Sequence, residues 1–92
     1  MVISLSNLRS TNKDGAKHIH VTVKVSNEPT EATLDFLICG KNSSETYSFA
    51  ANETREVSHA HNESGMCWVR VTDRATGIST QKLLNLDAEE SY

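Results

Sequence analysis

A chain of 92 residues is long enough for one domain and too short for two; its 37% hydrophobic and 5% aromatic content suits a thin two-layer core rather than one wrapped around a large ligand. Nine Lys and Arg against twelve Asp and Glu give a formal net charge of −3, and the basic residues are scattered, whereas a phosphate backbone needs them clustered. No apolar run approaches the ~20 residues that span a bilayer, so neither nucleic acid nor membrane insertion is expected.

The opening MVISLSNLRS lacks the basic start and long apolar stretch of a secretory signal. An extracellular location is therefore expected only if a signal has been removed. Val2 to Leu8 reads as an edge strand with a weakly specified inward face, Val2, Ser4, Ser6 and Leu8 on one side and Ile3, Leu5 and Asn7 on the other. Asn12 to Gly15 supplies a turn. His18 to Val25 alternates cleanly, with Ile19, Val21, Val23 and Val25 facing in and His18, His20, Thr22 and Lys24 facing out. Pro29, the only proline, has no amide hydrogen for a ladder and belongs to a break over Asn27 to Thr30.

Ala32 to Cys39 follows as a strand with Leu34, Phe36 and Ile38 on one face and Asp35, Leu37 and Cys39 on the other. Gly40 to Ser44 reads as a turn, Thr46 to Ala50 as a short strand with Tyr47 and Phe49 on one side, and Arg55 to His61 as a strand with poor contrast between its faces. Gly65 to Asp73, GMCWVRVTD, alternates strictly, with Cys67, Val69 and Val71 on a dry face and Met66, the only Trp (Trp68) and Arg70 on a wet one. Arg74 to Gly77 is a hairpin-type turn. In the last strand, Ile78 to Leu86, alternation fails at Leu83-Leu84, which suggests a bulge or a frayed end. The fold expected is all-β: a seven-stranded antiparallel β-sandwich over residues 1–87, with an acidic, disordered tail at 88–92, a short terminal helix from Lys82 onward being the alternative.

In this pattern the chain resembles an immunoglobulin-like or fibronectin type III-like module. The Val69-Arg-Val-Thr-Asp73 end of the sixth strand, with Ala75-Thr-Gly77 and a last strand behind it, is similar to many adhesive and cell-surface sandwiches. The chain departs from antibody-type domains: Gly65 stands where the corner tyrosine would be, Trp68 sits on the sixth strand rather than the third, and no Cys falls on the second strand. The resemblance implies an interaction or spacer role, cell adhesion among them, and carries over no functional residue.

Several groups of residues carry possible chemistry. His18-Ile-His20 and His59-Ala-His61 are two H-x-H pairs, and i, i+2 residues share a strand face. If the second and fifth strands pair, the four imidazoles gather at one end and make a candidate metal site. Plain polar surface positions are the competing account. Cys39 is expected to point outward and Cys67 inward, which leaves two thiols that cannot meet in disulfide geometry. Leu37, Cys39, Met66, Trp68 and Arg70, beside Asp35, make a candidate partner-binding face. Asn42-Ser-Ser44, Asn52-Glu-Thr54 and Asn62-Glu-Ser64 fit the N-glycosylation acceptor pattern, all in predicted turns. No catalytic residue and no cofactor are expected: nucleophile-elbow, phosphate-loop and zinc-protease motifs are missing, and Asp35, Glu45, Glu53 and Glu56 are expected on turns and outer faces, unburied. The functional expectation is a non-catalytic module that binds a protein partner, a second copy of itself included. A small carbohydrate-binding lectin, with Trp68 as stacking platform, is the first alternative and a metal-binding protein the second.

Overall fold

The structure, a computed structural model, describes residues 3–38, 40–62 and 65–86. The tail expected at 88–92, the side chain of Cys39 and the last two residues of the third acceptor pattern lie outside them. Seven strands run in order: β1 (Ile3–Lys13), β2 (Ala16–Val25), β3 (Thr30–Ile38), β4 (Lys41–Phe49), β5 (Thr54–His61), β6 (Met66–Asp73) and β7 (Ser79–Asn85). They form two antiparallel sheets, β1-β2-β5 and β4-β3-β6-β7, packed face to face as an all-β sandwich. The described residues include no helix, hence none long and apolar enough to cross a membrane.

Alternation builds the core as expected. Ile19, Val21, Val23 and Val25 of β2 meet Ala32, Leu34, Phe36 and Ile38 of β3 and Cys67, Val69 and Val71 of β6, all buried. Each strand thus turns its β-branched or bulky residues to one face, and burying that face is what holds the sheets together. Cys67 is a core residue, with its Sγ 3.6 Å from the Trp68 carbonyl oxygen.

β1 departs from simple alternation. Leu5 and Leu8, of opposite parity, are both buried. The register explains it: Ser6 pairs with Thr22 and Arg9 with His20, so Asn7 and Leu8 together oppose Val21 alone. This is a β-bulge, with Asn7 at φ 51°, a left-handed conformation that Asn tolerates. The inserted residue resets the parity so that both leucines point into the core.

Two further expectations are corrected. β4 starts at Lys41, not Thr46: Ile38 pairs with Lys41, and the chain reverses between them with Gly40 at φ 80°. Asn42 therefore sits on a strand rather than in a turn, although it is exposed. β7 has no bulge at Leu83-Leu84. Its register with β6 is unbroken, Cys67 opposite Leu84 and Trp68 opposite Leu83, so one leucine is buried and the other stands on the outer face.

The turn after β6 is held by Asp73, which is buried. Its carboxylate accepts from the Thr30 hydroxyl (2.8 Å), the Ala75 amide (3.1 Å) and the Thr76 hydroxyl (3.1 Å). These bonds, that from Thr30 foremost, hold its pKa below the usual carboxylate value.

Candidate functional site

The outward side of the four-stranded sheet can be read row by row, because directly paired residues share a face. One row is Asn42, Leu37, Trp68 and Leu83, running from β4 across β3 and β6 to β7. The next is Ser44, Asp35, Arg70 and Gln81, and the third is Thr46, Thr33, Thr72 and Ser79. Met66, opposite Asn85, lies beyond the first row.

The apolar end of this face is open to solvent. Met66 is 48% exposed, Trp68 42% and Leu83 39%, and Leu37 is half-buried beside them. Ile78, at 68%, is the remaining large exposed hydrophobic among the described residues and stands outside β7. So Leu37, Met66, Trp68 and Arg70 share the expected face, and Cys39 lies outside the described residues. Leu83 was not anticipated. The signal for it was present: two adjacent leucines on a strand must face opposite ways, and the second fits the dry side.

Asp35 departs from expectation. Although it points outward it is only 7% exposed, because its neighbours roof it over. The Ser44 hydroxyl donates to its Oδ1, and Arg70 donates to Oδ2 from both Nε and Nη2, each at 3.3 Å. The pair caps the apolar row with a satisfied, directional charge. Beyond it, Thr33 and Thr46 bond hydroxyl to hydroxyl at 3.2 Å.

The three-stranded sheet presents a different outward face. His20 Nε2 lies 2.8 Å from the Thr11 hydroxyl and its Nδ1 2.7 Å from the Ser58 hydroxyl, so the neutral ring donates from one nitrogen and accepts at the other. Glu56 approaches Nδ1 at 3.3 Å and accepts from Arg9 at 2.6 Å. Burial, then the nearby Arg9 charge, lowers the His20 pKa below 6.5 against the opposing pull of Glu56.

The four histidines do not gather. The second and fifth strands are neighbours as expected, but Ile19 pairs with His59 and Lys17 with His61. His59 and His61 therefore share the inward side, while His18 and His20, opposite Ala60 and Ser58, stand outward. His59 stacks on Phe36 of the facing sheet, ring centroids 4.6 Å apart and nearly parallel. His18 and His20 are 6.1 Å apart, centroid to centroid, on the other side. Val57 decides this: it is the sole buried residue of β5, so its parity fixes that of residues 59 and 61. Among the described residues no three His, Cys, Asp or Glu come together to hold a metal ion.

No protein-family model matches the chain, and no curated protein matches it in sequence. Among solved structures, the chain is similar to β-glucosidase 3B from Thermotoga neapolitana, described in complex with α-D-glucose, at 12% identity and a TM-score of 0.49 over 99% of this chain. The chain spans 16% of the length of that enzyme's chain.

Proposed function

We propose that the chain is a non-catalytic assembly module that docks a protein partner, a second copy of itself in the concrete case, on the outward face of its four-stranded sheet. The immunoglobulin-like or fibronectin type III-like reading is part of the same proposal, supported by strand order: first, second and fifth strands in one sheet and the remaining four in the other. The observation that carries the function is the gathering of Met66, Trp68 and Leu83, exposed, with Leu37 on one side of one sheet.

The face is self-complementary. A two-fold axis along the strands, between β3 and β6, exchanges cross-strand partners between copies. Leu37 of one copy then lies over Trp68 of the other, and Asp35 over Arg70, so the two ion pairs close into a ring of alternating charge. Sedimentation velocity over a hundredfold range of concentration tests this. Trp68→Ala and Leu83→Ser are expected to weaken concentration-dependent association while leaving the fold intact; association that ignores both substitutions overturns the reading.

One observation favours a second reading. Trp68 shares its outward face with amide side chains: Asn85 and Gln81 stand diagonally across on β7, and Asn42 lies two strands away on β4, beyond Leu37. A planar aromatic flanked by amide donors and acceptors matches the stacking and hydroxyl bonding that a sugar ring needs. A glycan array with wild-type and Trp68→Ala chains tests it: Trp68-dependent binding supports a lectin, and an empty array removes it.

A further inference from the structure

We infer that two copies of the chain also join edge to edge along β4, antiparallel about a two-fold axis at Ser43, which places Lys41 of each copy opposite Glu45 of the other. This contact is independent of the outward face described above.

Among the described residues, β4 borders β3 on one side and no strand on the other. An outer strand offers a row of backbone N–H and C=O groups to any second strand, and folds usually disarm such edges with bulges, prolines, short length or covering groups. The other edges of this sandwich carry such devices. β1 is bulged at Asn7-Leu8, and β7 is only seven residues long with Lys82 paired to the inward-facing Val69. β5 sends Arg55 across the seam to bond the Ser48 carbonyl at 2.9 Å and lie over the Phe49 ring. That arginine caps only the last residues of β4.

From Lys41 to Thr46 β4 is exposed at every residue, on both faces, and contains no proline and no bulge. Beneath its first residues lies an open cavity that Lys41 and Ser43 line together with His59 to Asn62. Adding a strand here extends the existing four-stranded sheet.

The side chains select the register. Lys41, Ser43 and Glu45 share one face, since they pair with the inward-facing Ile38, Phe36 and Leu34. An axis at Ser43 sets Lys41 against Glu45 twice, and on the other face Asn42 against Ser44 twice. An axis at Glu45 sets the two glutamates against each other, and one at Lys41 the two lysines. Opposite charges directly across an antiparallel pair stabilise it and like charges destabilise it. The register about Ser43 is therefore the one in which every charge is answered. The product is an eight-stranded sheet with both copies of Trp68 on the same side.

Charge reversal tests this by sedimentation velocity, with far-UV circular dichroism to follow the fold. Lys41→Glu and Glu45→Lys each put like charges at both positions and are expected to weaken pairing about tenfold or more. The double swap K41E/E45K restores it. Mixing the K41E chain with the E45K chain also restores it, as a heterodimer. Trp68→Ala leaves the edge pairing in place, so the two contacts fail separately. In the Trp68→Ala background, where the edge contact alone remains, single reversals that associate like that parent, or a mixture that stays monomeric, overturn the inference.

Discussion

Each outward face of the sandwich has an arginine–carboxylate pair joining two of its strands, and these two pairs differ in an instructive way. Arg9 and Glu56, on the three-stranded sheet, meet at 2.6 Å, with the Glu56 carboxylate side chain 48% exposed. Arg70 and Asp35, on the four-stranded sheet, are farther apart at 3.3 Å, but the Asp35 side chain is only 10% exposed. Distance alone ranks the first pair higher. Burial reverses the order, because water screens an exposed pair and cannot rescue a buried carboxylate that loses its partner. The face that hides its charge is also the one that shows its apolar residues.

Four measurements sharpen or break that contrast. The largest effect is expected from a pair of neighbours. Leu84→Ala empties a fully buried site and is expected to cost about 2–5 kcal/mol in denaturant unfolding. Leu83→Ala, one residue earlier, is expected to change stability by only about 0.5 kcal/mol while weakening self-association. Equal costs would mean that Leu83 is covered by its own chain and the binding face is closed.

Next comes Arg70→Ala, which leaves the Asp35 carboxylate with Ser44 alone and is expected to cost about 1.5–3 kcal/mol. Arg9→Ala is the matched control and is expected to cost about 0.2–1 kcal/mol. If the control costs more, proximity rather than burial governs these pairs.

The third measurement is pH dependence. The His20 pKa is lowered in the folded chain, so below pH 6.5 the unfolded state takes up a proton that the folded state resists. Stability from this group is complete above 6.5 and falls as pH drops through the folded value. Asp73 and Glu53, also lowered, act in the same direction but only in the carboxylate range. His20→Gln is expected to flatten the loss that starts near 6.5 and leave the acid limb unchanged. A loss near 6.5 that survives it belongs to another histidine.

The smallest effect is local. The Tyr47 phenol is pushed up to about 12 by burial and by its bond to Glu45. Alkaline titration of the phenols, followed in the ultraviolet, is expected to show this group ionising above the ordinary value of 10. Glu45→Gln moves it back part of the way, and no movement would assign the whole effect to burial.

Most of the architecture was readable before any coordinates. β2, β3 and β6 each carry a run of apolar residues at period two, and every inward residue named on them is buried. Legibility failed wherever one face lacked contrast. In β5, Arg55 to His61 offers a single apolar β-branched residue, too little contrast to show from sequence that Val57 alone sets the phase. In β1, Leu5 and Leu8 conflict under strict alternation, and only a bulge reconciles them. The start of β4 was hidden because Lys, Asn and Ser are turn formers as well as tolerable edge residues. The outward face is legible in Leu37, Met66, Trp68 and Arg70. The burial of Asp35 was not, since it depends on Ser44 from a stretch read as a turn.

The extra residue in β1 has a consequence for how the gene tolerates change. Exchanging Asn7 for another side chain disturbs one backbone angle, whereas losing its codon in frame leaves every remaining letter intact. The shortened strand would keep its pairing with β2 on one side of the lesion only at the cost of turning Leu5 or Leu8 toward water. In this segment spacing is inherited information in its own right, and deletion is a harsher event than any replacement.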